Sequence, residues 1–480
     1  MNKRIIISLV VLAVICCLGV FVILAGLYFV SQMPSTGIDS VSGGTPTPSF
    51  DNDIPAQPAP LDTPLPVNPH GGEASHPSSD LSNSLADQMN EIQEQVSEIR
   101  GLQPLHPINR AVLTTKELEE KVKTEFFKDY SAQDAKDDGL LLSTLGLLPR
   151  DYDLINLYTR LYSEQIAGYY DSETKEMYVV QGQTFGGIER MTYAHEYTHT
   201  LQDQTYDLQN GLKVNTKNCR VNTEYCAAVT ALLEGDAVFT EQQWLFRSSS
   251  DTDRADLQAF YTSYASPVFD SAPQYLKDDF MFPYQQGLEF VYSLNDRGSY
   301  DLVDKAFKEP PVTTEQIMHP DKYPEEKPLE ITLPELKKIL VDGWQEVESN
   351  ILGEWYTYLV LSDGLDAKYQ LPKNVARQAA AGWGGDRFAI YVRPADQAVV
   401  FLLYTRWDSQ ADARDFFEDM GKYGQARWGK ANGRNGGLHW QQTNNGNVVI
   451  QQKGTDTLWL ITPDETVQKQ ILAVLPPFNE

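Results

Sequence analysis

Positive charge is outnumbered and histidine is scarce in this 480-residue chain. It holds 39 Lys and Arg against 66 Asp and Glu, a net charge of −27. That balance argues against binding to nucleic acid or anionic lipid and describes a well-solvated surface. Only 7 histidines are present, so a pair at ligand spacing is rare by chance. Cysteine is scarcer still, 4 in all, and Cys16 and Cys17 lie within an apolar run. Cys219 and Cys226 are then the pair left elsewhere. Their spacing does not suit a zinc knuckle, no histidine lies near them in sequence, and in an oxidising compartment they are expected to form a disulfide.

Lys and Arg are missing altogether from residue 5 to residue 99. Within that stretch, residues 5–30 are nearly all apolar, interrupted by Ser8, Gly19 and Gly26. The run is long enough for a bilayer core, and no small-residue cleavage site follows at Ser31-Gln-Met-Pro34. A lipoprotein reading of Cys16 or Cys17 is disfavoured by Val14 and Ile15 before them. An uncleaved signal anchor is expected. Lys3 and Arg4 keep residues 1–4 in the cytoplasm and send everything after Val30 outside.

Residues 31–80 are rich in Pro, Ser, Thr, Gly and Asp and short of large apolar side chains, so a disordered stalk is expected. A helical lead-in follows over 81–110. Its apolar positions Leu81, Leu85, Met89, Ile92, Val96 and Ile99 recur at helical spacing, which reads as a loosely attached amphipathic helix. The remainder is too long for one ordinary core and is expected to divide into 111–345 and 351–480. In the first part, Thr114 and Glu117 have capping-box spacing, a helix is read over 151–167, and two short aromatic-rich strands at 166–171 and 176–180 form a hairpin. The stretch 251–345 reads as mainly helical, broken at Pro267, Pro283 and Pro310-Pro311. The second part alternates strand and helix patterns, with Asn445-Gly446 as a hairpin turn and with Trp383 and Trp440 expected in its core.

The chemistry is concentrated in His195-Glu-Tyr-Thr-His199. No Pro or Gly occurs between Ile188 and Asn210, Gly186-Gly187 precedes, and Ile188, Met191, Ala194 and Leu201 supply part of an apolar stripe, as a buried helix requires. Two histidines four apart on a helix share a face and can reach one Zn²⁺. Glu196 then lies beside the metal, where it can act as general base on water.

A zinc hydrolase usually has three protein ligands. No histidine follows at metzincin spacing. Asp203 lies one further turn along, too far to close the site, which suits an outer or surface role. Glu234, in Ala231-Leu-Leu-Glu-Gly-Asp-Ala237, is the better candidate. A carboxylate in an apolar helix is costly to bury without a partner, and Gly235 and Ala237 would let this helix approach the metal helix. Glu241 and Asp236 are alternative ligands, Asp236 fitting better as a partner for one of the histidines.

With those residues in hand, the chain resembles the gluzincins, zincin metallopeptidases with HExxH and a glutamate third ligand on a following helix. The likeness rests on His195, Glu196, His199 and Glu234 with the hairpin before them, and covers about residues 150–250. It is similar in particular to uncharacterised membrane-anchored bacterial proteins of metallopeptidase type that carry Gly168-Tyr-Tyr-Asp171, Leu233-Glu-Gly-Asp-Ala237, Phe282-Pro-Tyr284, Thr314-Glu-Gln-Ile-Met-His-Pro320 and Gly382-Trp-Gly-Gly-Asp-Arg387. One departure is Val238, where gluzincins often place an acidic residue.

The resemblance implies an α+β chain: a mainly helical, zincin-like catalytic domain with a small sheet, followed by a smaller α+β domain. It implies one Zn²⁺ held by His195, His199 and Glu234, with Glu196 as catalytic base. An oxyanion donor would be His319, or else Tyr284. The expected function is hydrolysis of peptide bonds in a peptide or protein substrate outside the membrane. An amidase acting on cell-wall peptide links would use the same site. A zinc-containing surface scaffold is the non-catalytic alternative, and the presence of Glu196 argues against it.

Overall fold

The computed structural model describes residues 83–165, 168–180, 185–340, 343–434 and 436–478. The anchor expected at 5–30 and the stalk at 31–80 lie outside them. Among the described residues, no helix is long and apolar enough to cross a membrane.

The lead-in pattern becomes helix α1, Asn83–Arg100. Its stripe of Met89, Ile92 and Val96 is fully buried in a cluster with Met191, Ala194 and Leu201 of the motif helix. The expectation of loose attachment is therefore corrected: Gln95 accepts the indole N–H of buried Trp244, and Arg100 is wholly enclosed. Strand β1, Asn109–Leu113, follows, then helices α2 (Thr115–Asp129), α3 (Ala132–Leu145) and α4 (Leu154–Gln165). Thr114 and Glu117 exchange capping-box hydrogen bonds at the start of α2. The hairpin is β2, Gly168–Asp171, and β3, Glu176–Val180, and β1 adds parallel to β3 in the order β1-β3-β2.

The motif helix α5 spans Gly187–Tyr206. A short α6, Thr216–Cys219, leads to the long α7, Thr223–Arg247, and a disulfide between Cys219 and Cys226 ties the two together. Then come α8 (Asp251–Ser263), α9 (Pro267–Asp270), α10 (Gln274–Lys308) and α11 (Thr314–Met318). Pro283 was expected to break this region but lies inside α10; the chain turns instead at Gly298 and Ser299. Burial of Phe280, Phe282 and Tyr284 around the proline outweighs the hydrogen bond it cannot make, a loss of about 3 kcal/mol in an isolated helix.

Gly235 also has a different role from the expected one. It faces α10, where a methyl group would overlap the carbonyl of Gly287, and Gly287 in turn lies against Ala231. The glycines let α7 and α10 touch backbone to backbone, while α5 packs on another side of α7.

The C-terminal region is a seven-stranded antiparallel sheet in the order β4-β5-β6-β10-β9-β8-β7. Its strands are β4 (Gln345–Asn350), β5 (Trp383–Arg393), β6 (Ala398–Trp407), β7 (Asn432–Arg434), β8 (Gly437–Thr443), β9 (Gly446–Lys453) and β10 (Asp456–Thr462). Helices α12 (Gly353–Ser362), α13 (Lys373–Ala380), α14 (Gln410–Trp428) and α15 (Glu465–Leu472) complete it. Alternation along the strands sorts the two faces. Phe388, Ile390, Phe401, Leu403 and Trp459 join a core that runs without interruption into the helices of the first half. Ala389, Tyr391, Val400, Leu402 and Leu458 face Leu336, Leu340 and Ile471. Trp383 and Trp440 are buried, as expected of core residues. The boundary drawn between 345 and 351 crosses β4, and the segment before it already packs on the sheet. The result is a mixed α+β chain whose two halves share one core.

Candidate metal centre

Helix α5 presents His195 and His199 on one face, and α7 brings Glu234 against them. The His195 Nε2 lies 3.2 Å from the His199 Nε2 and 3.2 Å from a Glu234 carboxylate oxygen, which is 3.4 Å from the His199 Nε2. Three ligand atoms on a tetrahedron about 2.0–2.1 Å from a central ion would be roughly 3.3 Å apart. All three side chains are buried.

The outer nitrogens of both rings are already committed. His195 Nδ1 is 2.8 Å from Glu241, and His199 Nδ1 is 2.9 Å from the Gln202 carbonyl oxygen. With Nδ1–H donating outward, each Nε2 lone pair points inward, the tautomer that a metal ligand needs. Burial opposes charge on His195, but its hydrogen bonds to the Glu234 and Glu241 carboxylates outweigh it and raise its pKa to about 10. Burial likewise pushes Glu234 up, yet the charge of His199 and hydrogen bonds from both rings bring it down to about 2. Three converging donors thus demand positive charge. Protons on the imidazoles are one way to supply it, and a divalent cation is the other. The donor set of two imidazoles and a carboxylate, enclosed and pre-oriented, fits zinc.

Glu196 follows His195 and is also buried; one of its oxygens accepts the Tyr170 backbone N–H at 2.7 Å. Tyr170 belongs to β2, an edge strand of the small sheet. Gly168, Tyr169 and Tyr170 of that strand are covered, and Glu196 engages the strand's outer N–H. Asp203 ties the same hairpin down through Tyr170 Oη and Lys175 Nζ, both at 2.6 Å.

Two expected roles change. Asp236 contacts neither histidine: it pairs with Arg100 and accepts from Gln202 at 2.9 Å. Glu241, considered as a ligand, instead buttresses His195. Helix period could have pointed there, since Glu241 lies two turns after Glu234 and its reach replaces the acid absent at Val238. Gln202, one turn after His199, was legible in the same way. His319 stands elsewhere, its Nε2 2.8 Å from Glu354 of α12, and this hydrogen bond raises its pKa. Glu354 adjoins Gly353, which packs on Glu224 in the first turn of α7. Along the α7 axis that end is about 15 Å from Glu234. Of the two oxyanion candidates, Tyr284 is the one beside the cluster, its ring centroid 6.5 Å from that of His195.

A second acidic group, Glu315, Glu326 and Asp408, also has ligand-like spacing. Its centre is filled by the Lys322 ammonium, at 2.7, 2.8 and 2.8 Å from the three carboxylates. Burial opposes that charge, but the three contacts hold the lysine pKa above its ordinary value.

A family model for a domain of unknown function, DUF8575, matches residues 339–472, which span the sheet region and exclude the metal cluster. No curated protein and no solved structure matches the chain.

Proposed function

We propose that this chain is a zinc-dependent peptidase of zincin type, anchored by residues 5–30 and acting outside the cytoplasm. The observation that carries the reading is the cluster itself: two Nε2 atoms and a carboxylate oxygen within 3.4 Å, with both Nδ1 atoms already engaged. When bound, zinc would polarise a scissile carbonyl and acidify water beside it. His195, His199 and Glu234 would hold the ion. Glu196, oriented by the Tyr170 N–H, accepts the proton of the attacking water and returns it to the leaving amine. Tyr284, whose ring lies 6.5 Å from that of His195, is the candidate donor to the developing oxyanion. The disulfide and the apolar N-terminal run support an extracytoplasmic location.

Burial of the cluster favours one other reading, a zinc-bearing scaffold without turnover. Glu196→Gln separates the two. In a peptidase it should keep stoichiometric zinc and lower peptide-cleavage rates by about 10²–10⁴-fold. A parent protein that holds zinc but cleaves no member of a broad peptide library, cell-wall peptides included, would leave the scaffold reading standing.

A further inference from the structure

Arg100 is the last residue of α1 and is completely enclosed, although it lies far from the motif in sequence. Its Nε is 2.8 Å from Asp236, its Nη2 2.7 Å from Asp304, and its guanidinium lies over the Tyr300 ring at 4.6 Å. Asp236 is equally enclosed and also accepts the Gln202 amide N–H at 2.9 Å, while that amide donates to the Leu233 carbonyl at 3.0 Å. Both acceptors require the NH₂ end of Gln202. The amide oxygen must then face His199 Nδ1, 2.9 Å away. An oxygen there selects the tautomer with a proton on Nδ1 and a free lone pair on Nε2. A reversed amide would select the opposite tautomer and close His199 to a metal. Asp236 holds this orientation as a charged acceptor, and a carboxylate so enclosed needs a cation beside it. Arg100 is that cation.

We propose that Arg100 is a positioning residue of the metal centre, acting through Asp236 and Gln202 on the tautomer of His199. Helix α1, which joins the centre to the N-terminal segment, is then part of the site and not a spacer. The inference rests on the metal reading above, and the test separates the two. Zinc affinity of the full chain is measured by competition with a chromophoric chelator, for the parent, Arg100→Met, Arg100→Lys and Asp236→Asn, alongside the visible spectrum of each Co²⁺-loaded protein.

Arg100→Met and Asp236→Asn should each weaken zinc binding about 10–100-fold and shift the cobalt bands, and Arg100→Lys should recover most of the loss. If the parent takes up no stoichiometric zinc, the metal reading falls and this inference with it. If the parent binds zinc and Asp236→Asn does so with parental affinity and spectrum, the relay alone is overturned. That variant carries the decision should Arg100→Met fail to fold. An Arg100→Met protein that melts earlier with unchanged zinc affinity also overturns the relay, leaving Arg100 only a packing role.

Discussion

Among the described residues, two triads of potential ligands are handled in opposite ways. Glu315, Glu326 and Asp408 surround Lys322, so the chain supplies its own cation. His195, His199 and Glu234 converge with both imidazoles oriented from behind and, among the described residues, no lysine or arginine paired with them. Carboxylates gathered for structure are neutralised by a side chain. Donors gathered for an exchangeable ion leave that charge to come from solution. The contrast supports metal binding at the histidine triad and disfavours it at the all-carboxylate triad.

The most severe way to break the comparison is to remove a donor from the histidine triad. His195→Ala and Glu234→Gln should reduce bound zinc below about one-tenth of stoichiometric, read by metal analysis of the purified protein, while Lys322→Met leaves zinc content unchanged. Equal zinc loss in all three variants would mean that the triads are not distinct.

A smaller effect is expected on stability. Lys322→Met leaves three carboxylates facing one another, with Glu315 largely buried and Lys322 itself 21 % exposed. Allowing for that partial exposure, the loss should be about 2–3 kcal/mol in denaturant unfolding. Added Ca²⁺ should restore part of it in the variant and none in the parent.

The gentlest test is pH. In the protein stripped of metal, His195 has a folded pKa of about 10 against an ordinary 6.5. Its contribution to stability is therefore complete below about pH 6.5 and is lost as pH rises towards 10. Zinc must displace those protons, so its affinity should climb over the same window. Melting curves with and without zinc should diverge as pH increases. Parallel curves would show that the histidines are not the ligands.

The sequence carried the parts of this site that repeat with the helix period. His195 and His199 are four apart, and Glu234 stands out as a carboxylate in an apolar helix. What failed was long-range. Nothing near His319 announces that Glu354, from a later helix, will take it. Arg100 lies in a segment whose stripe reads as an ordinary amphipathic face, and only packing reveals that its last residue enters the core. β1 was missed because five residues acquire a strand's identity only through parallel pairing with β3. α12 escaped because Trp355, Tyr358, Leu359 and Leu361 bury it nearly all round, which erases the amphipathic period. In the sheet, alternation made β5, β6, β8, β9 and β10 legible, while β4 and β7 carried no such signal. The hairpin expected at Asn445-Gly446 is present, but it turns one residue earlier, at Asn444-Asn445, and Gly446 opens β9.

The crossing of α7 and α10 has a consequence for precision. Where Gly235 meets Gly287, no side chain intervenes that could swing aside and absorb an error. The roll of α7 about its axis is therefore indexed by peptide groups, which are stiff, much as a keyway fixes a shaft. Glu234 and Glu241 ride on that shaft, one aimed at the inner nitrogens of both imidazoles and the other at the back of His195. Fitting even a methyl group into the keyway would turn both glutamates together, and the centre would go out of true without any of its own residues being altered.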